Sequence, residues 1–316
     1  MPVKSARELV TDAGIDRIDP TSVPFDLGGV NRAMHFASLG AEVLITSRNI
    51  SRGQDAKRKI EQVSRCKSAG GKVTVFELDM NSYESCVALV TVLKKRFGET
   101  GGLDVVVLNA GSINPQYTRS PEGWEQTIQV NTLSTTLLGL LLVNWLKEER
   151  ARRITPARLI FVTSRDHLYP NIDQWSKLAE KKGLLNHFSD ETRWPSIWDD
   201  MQPNYGNSKL LVMYAIEEIS KRALGPDGEC QVLINSVCPG LVYSNIAGNI
   251  ADFSWFWKLG VKVYMMVGGK TPDSGSRIYV NAALRPKEEH VQALAWKEII
   301  EELRAKVPAI YELGKF

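Results

Sequence analysis

A tyrosine and a lysine stand four residues apart in the stretch Tyr205-Gly-Asn-Ser-Lys209, which continues into an apolar run. On a helix this spacing places both side chains on one face. A free tyrosine has a pKa of about 10, whereas a general acid or base works best near pH 7. An ammonium roughly 4.5 Å away supplies about 4 kcal/mol at an effective dielectric of about 20, which covers that difference. The spacing therefore permits Lys209 to lower the pKa of Tyr205 and the pair to transfer a proton, and the same spacing recurs at Tyr311 and Lys315.

The elements that must position this pair are short β-branched runs, each leading into a longer amphipathic segment. Such an alternation is typical of a parallel sheet covered by helices on both faces. We therefore predict an α/β fold, a doubly wound and mostly parallel sheet of the Rossmann-like kind. The predicted strands are 42–47, 72–78, 104–109, 158–164 and 231–237, and the clearest helices are 51–69, 82–97 and the apolar run 137–146.

Polar residues and glycines follow the predicted strands. In a doubly wound sheet the ligands bind beyond the carboxyl ends of the strands, so these residues should gather around one cleft. Asn131 opens the long apolar helix, and Tyr205 and Lys209 precede the fifth strand. The residues at strand ends are Arg48, Asp79, Asn109-Ala-Gly111, Ser164 and Pro239-Gly240.

In this order the residues resemble those of the short-chain dehydrogenase/reductase family. The overall sequence pattern is most similar to that of its fungal, retinol-dehydrogenase-like biosynthetic members. The resemblance extends from about Gly29 to about Leu284. The motifs that carry it are Leu108-Asn-Ala-Gly111, Val130-Asn131, Val162-Thr-Ser164, Tyr205-x-x-x-Lys209 and Cys238-Pro-Gly-Leu-Val242. Taken singly, each has a structural explanation, for example Asn131 as a helix cap. Five motifs in this order are specific to the family.

The resemblance implies hydride transfer between a nicotinamide and a ketone or secondary alcohol, here of a fairly large apolar metabolite in secondary-metabolite biosynthesis. Tyr205 would give or take the hydroxyl proton, and Ser164 would hydrogen-bond the substrate oxygen. Lys209 would poise Tyr205 and bind the nicotinamide ribose. Asn131 would hold a water that links Lys209 to solvent.

The resemblance also implies a set of cofactor contacts. An acid after the strand that ends at Ser47 would favour NAD, whereas an arginine favours the 2′-phosphate of NADP. Arg48 stands at that point, so NADP is favoured over NAD, unless Arg48 is only a solvated loop charge. The other expected contacts, besides Tyr205 and Lys209, are Asp79 at the adenine and Asn109, Val242 and Ser244 along the ribose, nicotinamide and diphosphate.

The sequence departs from the family pattern where the diphosphate should bind. The expected strand and glycine-rich loop are replaced by residues 21–28, in which Val23 and Leu27 occupy glycine positions and Pro24 is a poor strand residue. A last strand is also not evident after Leu284. We therefore expect the sheet to lack or replace its first and last strands. The alternative function is a non-catalytic relative that cannot bind the cofactor.

The composition is that of an ordinary globular protein, with 316 residues and a net charge of +3. We expect an extension at 1–20, then one domain over 21–316 with lid inserts at about 165–204 and 243–270. The tryptophans of these inserts are open to three interpretations: a pocket lining, plain packing, or contact with a membrane surface. Four scattered cysteines and no apolar leader favour the cytoplasm. We expect no metal site, no nucleic-acid partner and little membrane contact, and a homodimer or tetramer by analogy with the family.

Overall fold

The computed structural model describes residues 28–173, 175–196, 199–200, 202–240, 277–280 and 282–283. All of them belong to one unit that ends at Ala283. In chain order the elements are α1 (Gly28–Ser38), β1 (Glu42–Ser47), α2 (Ile50–Gln62), α3 (Ser64–Ser68), β2 (Lys72–Glu77), α4 (Tyr83–Phe97), β3 (Val105–Leu108), α5 (Gln126–Ile128), α6 (Thr135–Glu148), β4 (Ala157–Val162), α7 (Trp175–Lys182), α8 (Leu184–Phe188), α9 (Tyr205–Arg222) and β5 (Val232–Val237).

The strands form two parallel sheets. Strand β1 pairs with β2 from Glu42 opposite Lys72 to Ser47 opposite Glu77, and a second sheet has the order β3-β4-β5. Within the described ranges no strand joins the two sheets. The predicted replacement of the first strand falls on residues 21–27 and that of the last strand beyond Leu284, both outside the described residues.

One apolar core nevertheless spans both sheets. Leu78 and Met80 after β2 are buried with residues of α4, α6, β4 and α9. Helix α6 approaches β4 and α9 closely at Gly139, where an added Cβ would stand 2.8 Å from the Phe161 ring and 2.9 Å from Ile219. A smaller core, which includes Ile60 and Val73, lies between α1, α2, α3 and the first sheet.

The predicted strands and helices are present with bounds shifted by a few residues. The exception is the helix predicted over 51–69, which breaks at Val63 into α2 and α3 because this β-branched residue is extended, with φ −65° and ψ 126°. The predicted extension 1–20 and the insert 243–270 lie outside the described residues, whereas most of the insert 165–204 is described. Among the described helices, none combines the length and the apolar character needed to cross a bilayer.

Candidate active site

Three of the predicted catalytic residues come together at the carboxyl end of β4. Ser164 follows this strand and lies within hydrogen-bonding reach of the Tyr205 phenol. The Lys209 ammonium lies 5.7 Å from the centroid of the Tyr205 ring, as expected for residues one helical turn apart. Lys209 Nζ also donates a 3.0 Å hydrogen bond to the carbonyl of Val162, the last residue of β4. The strand end and the start of α9 thus build one polar cluster.

Burial controls the proton affinities of the pair. Tyr205 is 8% exposed and Lys209 is 3% exposed. Burial raises the pKa of Tyr205 to about 12, helped by the negative charge of Asp166 and opposed by the hydrogen bond with Ser164. Burial likewise lowers the pKa of Lys209 to about 8. Burial, and not Lys209, therefore sets the pKa of Tyr205 in this structure, because the loss of hydration is the largest influence on the phenol.

Asn131 links the end of β3 to the start of α9. It lies in a π-helical turn, Gln129–Ser134, that joins α5 to α6. Its side chain accepts a 2.8 Å hydrogen bond from the amide of Ser112, and its amide group donates to the Ser112 carbonyl and to Ser208 Oγ, both at 3.0 Å. Ser208 Oγ in turn donates to the carbonyl of Tyr205. Asn131 therefore holds Ser208, the residue directly before Lys209, in place. A π-helical turn at this position is in keeping with the frequent occurrence of such turns at functional sites.

A second polar chain runs from the same place to the first sheet. Ser112 Oγ donates to Asn114, whose amide donates to Gln126. Gln126 then donates to Asn81 at 3.0 Å, and Asn81 donates to the carboxylate of Asp79 at 2.9 Å. The half-buried Asp79, the predicted adenine contact, is thus tied to the cluster around Asn131.

The other predicted cofactor residues are placed as follows. Arg48 is exposed immediately after β1, and Asn109 is half-buried immediately after β3. Both therefore lie at carboxyl ends of parallel strands, where this architecture binds ligands. Val242 and Ser244 lie outside the described residues.

The described residues fit a nicotinamide dinucleotide on the catalytic side. Lys209 is buried, and within the described residues its hydrogen bond to Val162 uses one of the three donors of its ammonium. A buried ammonium with spare donors suits the hydroxyl groups of a ribose. Residues 21–27, which should meet the diphosphate, lie outside the described part of the chain.

Two tryptophans of the first insert, Trp175 and Trp194, pack within the protein. Trp175 is 9% exposed and contacts Phe188 edge-on, with ring centroids 5.3 Å apart. Trp194 contacts Tyr117 edge-on and donates its indole N–H to the carbonyl of Pro115. The packing interpretation therefore holds for these two residues, while Trp198 lies outside the described residues. In the turn that follows Ser164 in the chain, Leu168 and Tyr169 are exposed apolar side chains.

Sequence reasoning missed four residues that surround the polar cluster of Ser164, Tyr205 and Lys209. Glu125, Asn204 and Ser208 form hydrogen bonds around the start of α9, and buried Tyr279 is close enough to Tyr205 to affect its pKa. Asn204 could have been noticed as an N-cap residue type directly before a helix. Nothing in the local sequence marks Glu125 as a buried carboxylate.

Comparisons with known proteins agree with this geometry. A family model described as short chain dehydrogenase matches residues 29–193, just over half of the chain. Short-chain dehydrogenase/reductase phmF of Phaeosphaeria nodorum is 33% identical over 263 residues, which cover 83% of this chain and 72% of that protein. Short-chain dehydrogenase/reductase ffsI of Aspergillus flavipes is 29% identical over 309 residues, 90% of this chain and 85% of its own length.

Solved structures show the same fold at lower identity. A short-chain type dehydrogenase/reductase from Mycobacterium marinum has a TM-score of 0.55 at 19% identity, covering 81% of this chain and 84% of its own. A metagenomic short-chain oxidoreductase in complex with NADP has a TM-score of 0.51 at 18% identity, covering 83% and 88%. The matched family and the phmF relative, together with this shared fold, show that the chain belongs to the short-chain dehydrogenase/reductase family.

Proposed function

We propose that the protein is an NADP-dependent oxidoreductase that acts on a ketone or secondary alcohol of a fairly large apolar metabolite. Membership of the family supports oxidoreductase activity in general. The observation that carries the proposal is the convergence of Ser164, Tyr205 and Lys209 at the carboxyl end of β4. A role in secondary-metabolite biosynthesis is part of the proposal, on the strength of the resemblance in the sequence.

The chain's own residues would hold the substrate oxygen and move its proton. A bound nicotinamide would supply or accept the hydride. Ser164 would donate a hydrogen bond to the substrate oxygen, and Tyr205 would exchange the proton with it. Because the pKa of Tyr205 is raised to about 12, the phenol keeps its proton at neutral pH, which favours its role as donor to a ketone. Exposed Leu168 and Tyr169 in the turn that follows Ser164 offer apolar contacts to the rest of the substrate.

NADP is proposed over NAD because an exposed arginine, Arg48, follows β1. A metagenomic relative in fold is crystallised with NADP, and a 3-oxoacyl-[acyl-carrier protein] reductase from Brucella melitensis with NAD. We further propose a cytoplasmic location, supported by four free cysteines, and a homodimer or tetramer, which light scattering on the purified protein would test.

The test is to titrate the protein with NADPH, following nicotinamide fluorescence, and to measure NADPH oxidation with a panel of apolar ketones. Replacing Tyr205 with Phe should abolish turnover and leave the NADPH dissociation constant within about twofold, because the variant lacks only the phenolic hydroxyl group. Turnover that survives in Tyr205→Phe would refute the assignment.

A second candidate, a non-catalytic relative, is favoured by one observation. In the sequence, Val23 and Leu27 stand where the family's diphosphate-binding loop has glycines. Those glycines let the backbone approach the cofactor diphosphate closely. The absence of saturable NADPH binding by the wild-type protein would decide for this candidate.

A further inference from the structure

Glu125 is a buried carboxylate at the junction between the Asn131 segment and the start of α9. It is fully buried, and its side chain accepts hydrogen bonds from the amides of Thr127 at 2.8 Å and Ile128 at 3.1 Å. These two bonds cap α5, the beginning of the helical run that carries Asn131. Burial raises the pKa of this carboxyl group above its usual range, and the hydrogen bonds oppose that change.

The same carboxylate holds the residue directly before Tyr205. Asn204 Nδ2 donates to Glu125 Oε2 at 3.3 Å and to the carbonyl of Phe188 at 2.6 Å. Asn204 has φ +60°, the left-handed conformation, and no other described non-glycine residue has a positive φ. Left-handed backbone at a non-glycine residue persists only where its surroundings hold it.

The backbone of Asn204 sets the direction of α9. Its carbonyl accepts a 2.7 Å hydrogen bond from the amide of Ser208, so the first turn of the helix begins at Asn204. Tyr205 belongs to this first turn of α9, and Lys209 is the residue directly after it. A change in the Asn204 backbone would therefore turn both side chains relative to Ser164, which belongs to a different element.

We propose that Glu125 is a positioning residue for Tyr205, acting through the side chain of Asn204. This inference rests on the proposed function, in which Tyr205 exchanges the proton. The carboxylate has two separable tasks. It caps α5 through two backbone amides, and it holds Asn204 in its left-handed conformation.

The variant Glu125→Asp separates these tasks. Aspartate is a good N-cap residue, so it keeps a carboxylate for the amides of α5. Its side chain is one methylene shorter and falls short of Asn204. The partner variant Asn204→Gly can adopt the positive φ but is not held in it, because glycine lacks the side-chain amide that Glu125 binds and is free to take other backbone conformations. We expect each variant to lower kcat by about tenfold, as for loss of a hydrogen bond to a charged group. The dissociation constant of NADPH should stay within about twofold.

The double variant Glu125→Asp/Asn204→Gly gives the sharpest comparison. If the two residues act through one contact, its kcat should equal that of the weaker single variant, since removing a shared interaction twice has no further effect. Losses that multiply would overturn the proposal. A Glu125→Asp variant with wild-type kcat would also overturn it, because it would show that the carboxylate is only a helix cap. The activity probe is NADPH oxidation with 9,10-phenanthrenequinone, a large apolar dicarbonyl.

Hydrogen–deuterium exchange supplies a measurement that does not need activity. Both single variants should exchange the amides of Ser208 and Lys209 faster than the wild-type protein, because the first turn of α9 is less firmly held. The control is Ile60→Val, which weakens the small core around α2 and should leave exchange in α9 unchanged. Unchanged exchange in the Glu125 and Asn204 variants refutes the positioning role. A different outcome would refute only the proposed function. If the two variants exchange faster but the wild-type protein does not oxidise NADPH, the contact between Glu125 and Asn204 is established and the enzymatic role is refuted.

Discussion

The distance between Tyr205 and the Ser164 turn is set by a residue with no side chain. Gly206 lies in the first turn of α9, and an added Cβ there would stand 2.9 Å from the carbonyl oxygen of Asp166 and 3.5 Å from Pro170. The first distance is roughly half an ångström shorter than ordinary contact. The obstacle is backbone, so either α9 or the turn Arg165–Leu168 must move. The substitution Gly206→Ala therefore separates Tyr205 from Ser164 by roughly that amount.

The free-energy change follows from two opposing effects. Overpacking of this kind costs about 1–3 kcal/mol, whereas alanine is favoured over glycine in a helix by up to about 1 kcal/mol. We expect Gly206→Ala to lose about 1 kcal/mol of unfolding free energy, or about 3 °C in Tm. A misplacement of 1 Å can cost about a hundredfold in rate, so a shift of half that size should lower kcat roughly tenfold. Thermal unfolding and NADPH oxidation measure the two effects.

Gly98→Ala is the matched control. Gly98 ends α4 with right-handed helical angles, φ −59° and ψ −37°, and the nearest atom to its added Cβ is Glu149 Oε1 at 4.0 Å. The same chemical change should leave kcat unaltered and raise stability by about 0.5 kcal/mol, since it restricts the unfolded chain. A Gly206→Ala protein with wild-type Tm and kcat would refute the tight approach of α9 to the Ser164 turn. Equal losses in both variants would refute it as well.

Three further predictions concern charge and burial. Lys209→Met should raise the free energy of unfolding at pH 7 by roughly 2 kcal/mol. The buried charge of Lys209, whose pKa is lowered, destabilises the wild-type fold by roughly 3 kcal/mol, and its hydrogen bond to Val162 stabilises that fold by about 1 kcal/mol. The pKa of Lys209 in the folded protein, about 8, lies below its usual 10.5. The extra stability of the variant should therefore be complete below pH 8 and disappear as the pH rises to 10.5, which urea unfolding at a series of pH values would measure. Arg48→Ala should weaken NADPH binding at least about tenfold in fluorescence titrations and leave NADH binding unchanged, because only NADPH has the 2′-phosphate. Cys86, whose pKa burial raises to about 11, should resist iodoacetamide at pH 8 until urea unfolds the protein, as mass spectrometry of the modified peptide would show.

The sequence predicted the features that depend on local pattern and on the rules of parallel sheets. The strand Glu42–Ser47 has the predicted bounds, because a β-branched run ends there at polar residues. Ser164 was expected near Tyr205 because it follows the fourth strand and because the family resemblance brings the two together, and the structure places the two side chains close to each other. Arg48 also lies at such an edge, but its contact with a cofactor stays a prediction.

The features that the sequence did not predict depend on tertiary burial. Asn204 looks like an ordinary N-cap, yet its side chain makes no cap bond and instead meets Glu125 and Phe188. The burial of Glu125 results from contact with a segment more than sixty residues further along the chain. The backbone amide of Glu125, for example, donates a hydrogen bond to Ser189 Oγ. The raised pKa of Tyr205 has the same origin in burial. A spacing of four residues fixes a distance but not the hydration of the two groups.

The raised pKa of Tyr205 changes the role assigned to Lys209. With a pKa of about 12 the phenol is neutral at pH 7, while Lys209, with a pKa of about 8, is still protonated. The ammonium therefore has little to attract before the reaction. In the proposed reaction the phenol would give its proton to a ketone oxygen, and the phenolate would then lie 5.7 Å from that ammonium, measured to the ring centroid. At an effective dielectric of about 20 the new attraction is about 3 kcal/mol.

An interaction that appears only as charge develops lowers the barrier and not the ground state. Three kcal/mol corresponds to roughly a hundredfold in rate, so Lys209→Met should lose about that factor in kcat while it gains stability. The buried lysine thus costs folding free energy that is recovered only during proton transfer, in keeping with the strained and destabilised active sites of other enzymes. A Lys209→Met variant that is both more stable and as active as the wild-type protein would contradict this division of roles.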